Sequence, residues 1–205
     1  MSGSNIAVFI VGLSCWANSF AQEPEDRFTH FMGFQLGAAT LSQVEARLGP
    51  SSVKGAGDAG DAEKWLCYQS SSGRVRFYSG EMSGPDNTLL GFSIDRGLNI
   101  RSCPKLTARV KSADFAIGGI HLGMTKKEFQ KIVRTEIAWK KNEGKATFSK
   151  KQPMSADQIS HLPMALQQRI ADGEEPDGYD VQITLIAKFA HDRLVSLQVW
   201  KVVSY

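Results

Sequence analysis

Residues 33–49 read GFQLGAATLSQVEARLG, and their pattern occurs again at residues 119–133, GIHLGMTKKEFQKIV. In both stretches a glycine, an apolar–polar–apolar step and a second glycine precede a threonine and a helical pattern. Apolar residues then recur four positions apart, at Val44 and Leu48 in the first stretch and at Phe129 and Val133 in the second. A repeat of this kind predicts that one structural unit is used twice along the chain.

Each repeated stretch contains the signals that begin a helix. Thr40 and Thr125 stand at the N-cap positions, and Glu128 follows Thr125 by three residues, which is the spacing of a capping box. The first helix is expected to end at Gly49-Pro50, because glycine and proline commonly follow a helix end. We expect the apolar side of the second helix to extend through Ile137 and Trp139.

Alternating and apolar segments outside the two helices predict β-strands. They are residues 34–36, 64–69, 74–79, 89–94, 120–122, 146–149, 179–189 and 194–203. The glycine-rich residues 54–63 are expected to be a flexible loop. Ser155 and Gln158 form a further capping box within a helical insertion over residues 153–178, where Pro163 starts or splits a helix. Runs of strands separated from helices predict an α+β fold of two tandem units, each a short helical segment packed on an antiparallel sheet.

The start of the chain resembles a secretory signal. Residues 6–16 are apolar but too few to span a bilayer, which needs about 20 residues, and Ser19 and Ala21 precede a cleavage point before Gln22. Residues 1–21 carry no lysine or arginine, so a buried N-terminal element is the alternative. Gly12 stands where a lipid-attachment signal needs an aliphatic residue, so we expect no lipid anchor at Cys15. The predicted organisation is a signal peptide at 1–21, a first repeat at 22–112 and a second at 113–205.

Two cysteines, Cys67 and Cys103, remain after the predicted signal is removed. An even pair in an exported chain predicts a disulfide and a periplasmic or secreted location. The alternative is a pair of free, buried thiols. Neither cysteine has a second cysteine or a histidine at zinc-ligand spacing, so no metal site is expected.

The chemical motifs of common enzymes and nucleic-acid-binding proteins do not occur in the sequence. The net charge is only +3, and the three lysine pairs, at residues 126–127, 140–141 and 150–151, do not form a basic tract, so no nucleic-acid partner is expected. There is no G-x-S-x-G nucleophile motif and no glycine-rich phosphate loop ending in G-K-S or G-K-T. The four histidines are scattered, and the acidic residues 174, 175 and 177 are typical of a solvated loop. These patterns predict no catalytic residues and no cofactor.

Four side chains are candidates for binding. If Val75 and Phe77 face the core, the two-residue period of a strand places Arg76 and Tyr78 on the opposite side. The same argument places Lys188 and Trp200 outside on the last two strands. Tyrosine, tryptophan and arginine commonly anchor protein interfaces. The alternative is that the insertion or the other repeat covers these side chains.

The two Leu-Gly steps, each followed by a threonine that begins a helical pattern, resemble the module shared by SmpA/OmlA (BamE)-like envelope proteins and tandem β-lactamase-inhibitor (BLIP)-like proteins. The first unit carries the resemblance at Leu36, Gly37, Thr40, Val44, Leu48, Gly49 and Pro50, and the second at Leu122, Gly123, Met124, Thr125, Glu128 and Phe129. The second unit lacks the Gly-Pro stop, and the insertion departs from the simple module. The resemblance implies a helical hairpin on an antiparallel sheet, and protein binding through the sheet face or its edge loops without catalysis.

The sequence therefore predicts an exported, non-catalytic protein-binding module of the bacterial envelope or secreted space. The expected partner is another protein, either an enzyme that is inhibited or a component of envelope assembly. Two alternatives remain open: a periplasmic small-ligand carrier that uses a cleft between the repeats, and an enzyme of unrecognised type.

Overall fold

A computed structural model of the chain describes residues 26–58, 62–80, 83–97, 103–106 and 115–204. The predicted signal peptide and Cys15 lie outside the described residues. No helix in the described part of the chain combines the length and the apolar character that crossing a membrane requires.

The described residues contain twelve strands and four α-helices, together with a 3-10 turn at Asp26–Thr29. The strands are β1 His30–Phe31, β2 Phe34–Gln35, β3 Lys54–Ala56, β4 Glu63–Ser70, β5 Gly73–Gly80, β6 Gly91–Asp95, β7 Ala116–Ile117, β8 Ile120–His121, β9 Ile137–Lys140, β10 Glu143–Pro153, β11 Gly178–Ala190 and β12 Arg193–Ser204. The helices are α1 Leu41–Leu48, α2 Lys126–Val133, α3 Ala156–Ser160 and α4 Met164–Ala171.

Eight of these strands form one antiparallel sheet in the order β3-β4-β5-β6-β12-β11-β10-β9. The remaining four form two small hairpins, β1-β2 and β7-β8. Strands β6 and β12 are neighbours at the centre, so distant parts of the chain share the same sheet. Helices beside a large antiparallel sheet confirm the predicted α+β class.

A single hydrophobic cluster lies on one face of the sheet. It joins inward side chains of the central strands to the buried residues of α1, α2 and both hairpins. Its largest fully buried side chains include Phe28, Phe31, Phe77, Phe92 and Phe129. We call this face the packed face and the opposite one the open face. On the open face Thr184, Ile186 and Gln198 are half-buried, while Lys145, Thr147, Gln182 and Lys188 are exposed.

The two helix starts agree with the capping signals in the sequence. The Thr40 hydroxyl accepts a hydrogen bond from the backbone N–H of Gln43, and the backbone N–H of Thr40 donates one to Oε1 of the Gln43 side chain. Thr125 and Glu128 make the same reciprocal pair at the start of α2. The hydrogen bonds from Thr125 stabilise the ionised carboxylate and lower the pKa of Glu128.

The second helix is shorter than the sequence predicted. Arg134 adopts a left-handed conformation with φ of 56°, which ends α2 at Val133. Ile137 and Trp139 therefore lie in β9, where they pair with Ala146 and Gly144 of β10. The prediction of a continued helix was wrong because apolar residues at this spacing also suit one face of a strand.

The glycine-rich segment was predicted to be a flexible loop, but Lys54–Ala56 forms the edge strand β3 and pairs with residues 63–65 of β4. The insertion begins at the predicted capping box, where Ser155 accepts a hydrogen bond from the backbone of Gln158. Pro163 stands between α3 and α4, as its restricted backbone predicts. No residue of either helix is buried.

Strand β4 is fixed to its surroundings by a disulfide and by hydrogen bonds. Cys67 and Cys103 form the predicted disulfide, with Cα atoms 5.2 Å apart. Next to it, the Gln69 backbone pairs with Pro104 and Leu106, through N···O distances of 2.8 and 2.9 Å. On the packed face the Tyr68 hydroxyl donates to the Gly49 carbonyl at 2.9 Å, at the end of α1. Burial raises the pKa of Tyr68 to about 12, and the negative charge of Glu45 acts in the same direction.

Candidate functional site

A row of aromatic side chains crosses the open face. Trp65 of β4 pairs with Tyr78 of β5, Tyr78 pairs with Gly91 of β6, and Gly91 pairs with Trp200 of β12. Residues that pair directly across an antiparallel sheet carry their side chains on the same face. The three aromatic residues therefore lie in one line across four strands, with a glycine in the third position.

Gly91 gives the Trp200 ring room to lie over β6. A Cβ atom at position 91 would stand 2.7 to 3.0 Å from three atoms of the Trp200 ring, which is closer than a Cβ contact allows. Because the glycine leaves this space, the Trp200 ring reaches Tyr78, with the ring centroids 4.9 Å apart and the planes inclined at 39°. This tilted ring contact holds the Tyr78 side chain of β5 and the Trp200 side chain of β12 together.

The row borders an open hollow of about 480 Å³, which is lined by Ala56, Glu63, Trp65, Arg76, Tyr78, Gln198 and Trp200. The lining residues belong to β3, β4, β5 and β12, and none belongs to a helix. The insertion therefore does not cover this part of the sheet, which was one alternative left by the sequence. The volume is within the range of sites that accept a small molecule or a single large side chain of another protein.

Polar groups position the aromatic wall of the hollow. The Tyr78 hydroxyl lies 3.2 Å from the Ser93 hydroxyl, and the Arg76 Nη1 donates to the Tyr78 hydroxyl at 3.4 Å. Tyr78 is only 5% exposed, so its ring forms the floor of the hollow and leaves little of its edge accessible. The accessible part of the site includes four half-buried side chains and one exposed one: Trp65, Arg76, Gln198, Trp200 and the exposed Glu63.

Three of the four predicted binding residues come together here. Arg76, Tyr78 and Trp200 share the hollow, although nothing in the local sequence shows that β5 and β12 are close. Lys188 lies on the same open face but outside the hollow, where its Nζ is 3.3 Å from Glu143 Oε2 on β10. The alternation of side chains predicted the face of Lys188, whereas its position on that face depends on the register of β11.

Contributors to the site that the sequence reasoning missed include Trp65, Gly91 and Gln198. Trp65 lies two residues before Cys67, so the alternation of side chains along a strand places both residues on the same face. This alternation was the signal that could have identified Trp65. Gln198 lies two residues before Trp200, so alternation gives it the same face as Trp200. Gly91 has no local signal, since its role appears only when β6 is paired with β12.

The site has the chemistry of non-covalent recognition. Aromatic rings offer apolar area, and the guanidinium and amide groups offer hydrogen bonds to a bound group. Among the described residues, no three histidine, cysteine, aspartate or glutamate side chains are grouped so that they could hold a metal ion. No protein-family model, no curated protein and no solved structure matches the chain.

The contact between Trp200 and Gly91 can be tested by changing Gly91→Ala. Alanine ordinarily suits a strand better than glycine does, but here its Cβ displaces the Trp200 ring, so we expect a loss of about 1–3 kcal/mol in the free energy of unfolding. Urea denaturation measures this loss, and tryptophan fluorescence reports the displaced ring. The matched control is Gly55→Ala in β3, where the nearest atom would lie at an ordinary 3.5 Å. Equal effects of the two substitutions would contradict the proposed contact.

Proposed function

We propose that this protein is an exported, non-catalytic module that binds another protein through the open face of its sheet. The observation that carries the proposal is the row formed by Trp65, Tyr78 and Trp200 with Arg76 beside it. Tryptophan, tyrosine and arginine dominate the binding energy of protein interfaces, and they act best when they are partly enclosed. A stable sheet already holds these side chains in place, which reduces the conformational entropy that they lose on binding.

We further propose that the chain consists of two tandem units, within residues 22–112 and 113–205. Equivalent backbone hydrogen bonds support this division. Gly37 N donates to Leu89 O, and Gly123 N donates to Leu194 O, both at 2.8 Å. The return bonds, from Leu89 N to Ala39 O and from Leu194 N to Met124 O, are also both 2.8 Å.

The strand order gives independent support to the tandem arrangement. Each unit would supply a hairpin, a helix and four strands, with the helical insertion added between β10 and β11 of the second unit. The last strands, β6 and β12, are the central neighbours, and the first strands, β3 and β9, are the two edges. This arrangement is what an approximate two-fold axis between β6 and β12 would produce. The hollow would then lie across the junction of the units, since Tyr78 and Trp200 belong to different ones.

Export and kinship are parts of the same proposal. The Cys67–Cys103 disulfide is compatible with an oxidising compartment, such as the periplasm or the extracellular space. The repeated Leu-Gly steps, each followed by a capping threonine, favour kinship with the SmpA/OmlA (BamE)-like and β-lactamase-inhibitor-like modules. Under that reading the partner is either an inhibited enzyme or a component of envelope assembly.

Affinity capture with matched variants tests the proposal. The purified protein is exposed to envelope and culture-medium fractions of its host, and retained proteins are identified and then purified for calorimetric titration. One variant combines Trp65→Ala and Trp200→Ala. The control is Met164→Ala, which removes an apolar side chain that is 84% exposed on α4 and does not line the hollow.

The proposal expects one protein that binds the unchanged chain and the control variant equally. Its affinity for the double variant should fall at least about thirtyfold, because losing one anchor residue costs 2 kcal/mol or more at an interface. A partner that binds the double variant unchanged would refute the role of the open face. If no protein is retained at any salt concentration, a screen of small molecules becomes the test of the alternative carrier function.

A further inference from the structure

Arg76 differs from two other cations of the open face, the buried Arg74 and the exposed Lys188. Arg74 forms an ion pair with Asp95, with 2.8 Å between Nη2 and Oδ2, and Lys188 forms one with Glu143. In the described part of the chain, no carboxylate lies within ion-pair distance of Arg76. Its polar contact is the long hydrogen bond to the Tyr78 hydroxyl. A half-buried guanidinium therefore keeps several donors available at the border of the hollow.

The position of Arg76 connects this charge to the apolar wall. Arg76 pairs with Cys67 and Ser93, one row below the line formed by Trp65, Tyr78 and Gly91. A group that pairs with Arg76 is thus brought directly beside the aromatic rings. Partial enclosure by these rings lowers the local dielectric constant and strengthens an ion pair relative to one in open water.

The hollow also carries opposite charges at its two ends. Glu63, on the opposite border, is exposed. It lies four residues along β4 from Cys67, the residue that pairs with Arg76, so the backbones of Glu63 and Cys67 are about 13 Å apart. An anionic group is attracted by Arg76 at one end and repelled by Glu63 at the other. The two charges therefore fix the orientation of any ligand that has an apolar body and a single carboxylate.

We infer that the hollow receives an aromatic side chain of the partner together with an adjacent carboxylate, and that this carboxylate pairs with Arg76. The planar fork of the guanidinium matches a carboxylate through two parallel hydrogen bonds, which adds direction as well as affinity. The aromatic side chain contacts Trp65 and Trp200 at the same time. This inference rests on the proposed function and specifies the chemistry of the partner's anchor: an aromatic residue beside an aspartate, a glutamate or a chain terminus.

The test uses N-acetylphenylalanine, which has a free carboxylate, and its neutral amide as probes. Each is titrated into the protein, and the indole N–H signals of Trp65, Trp139 and Trp200 are followed by NMR. The acid should shift the signals of Trp65 and Trp200 with an affinity at least about tenfold above that of the amide, because a hydrogen bond to a charged group contributes that much. The Trp139 signal should remain unchanged.

Arg76→Gln separates the ion pair from the apolar contact. This variant should reduce the affinity of the acid to that of the amide and leave the affinity of the amide unchanged. Lys145→Gln removes an exposed cation elsewhere on the same face and serves as the control for overall charge. Near-ultraviolet circular dichroism verifies that both variants are folded. Equal binding of the two probes, no binding of either at millimolar concentration, or an unchanged preference in Arg76→Gln would overturn the inference.

The probe experiment and the capture experiment can fail separately. If the probes fail but the partner is lost from the double tryptophan variant, the open face binds a protein by other chemistry and only this inference is wrong. If the acid binds through Arg76 but no partner protein is retained, the hollow is a site for small carboxylates and the proposed function is wrong.

Discussion

Replacing both Cys67 and Cys103 with alanine is expected to lower the free energy of unfolding by about 4 kcal/mol. The two cysteines are 36 positions apart, and a bridge that closes a loop of this length restricts the unfolded chain by about that amount in the entropy model. For a chain of this size the loss corresponds to a decrease of roughly 10 °C in the melting temperature. Urea denaturation and calorimetry of the two proteins provide the measurement.

The reduced wild-type protein is the control for this substitution. Under reducing conditions its stability should fall to within about 1 kcal/mol of the alanine variant, since the bridge is then absent from both. The variant itself should not respond to the reductant. A double variant that unfolds at the same urea concentration as the oxidised wild type would contradict the stabilising role of the disulfide.

Local signals in the sequence predicted much of the fold. The starts of α1 and α2 follow from Thr40 and Thr125, because a capping residue and its partner lie within three positions of each other. The long strands β11 and β12 follow from an apolar alternation maintained over many residues. These features need only neighbouring residues to be recognised, so sequence alone was sufficient.

Features that depend on distant pairing were not predicted. Ile137 and Trp139 suited either a helix or a strand, and the pairing of β9 with β10 decided between them. The order of the eight strands also has no local signal. Sequence alone therefore gave the α+β class but not the central pairing of β6 with β12.

The candidate site shows the same division. Alternation gave Arg76, Tyr78 and Trp200 the correct face, since that depends only on the two-residue period of a strand. Their convergence depends on the register of β5, β6 and β12, and on a glycine at position 91. For a candidate surface on a sheet, the alternation of side chains in the sequence therefore predicts which face a residue occupies. The pairing of the strands decides which of these residues lie together.

The largest effect of a single substitution is expected for Phe77→Ala. Phe77 has no exposed surface, and its ring centroid lies 5.5 to 6.4 Å from those of four aromatic side chains: Phe31, Phe34, Tyr68 and Phe92. Removing the ring leaves a cavity that these rigid neighbours cannot fill, so the free energy of unfolding should fall by about 3–5 kcal/mol. Urea denaturation with two independent probes measures this change.

Two variants make the Phe77 prediction specific. Phe77→Leu keeps most of the volume and should cost less than about 1.5 kcal/mol. Phe148→Ala removes the same ring from a half-buried position, where its aromatic contact is Phe28 at 5.4 Å, and should cost clearly less than Phe77→Ala. Because Phe77 lies between Arg76 and Tyr78 on β5, its loss should also weaken binding of N-acetylphenylalanine, whereas Phe148→Ala should leave that affinity unchanged. Equal losses of stability in the two alanine variants would show that the aromatic cluster does not anchor the strand that carries the site.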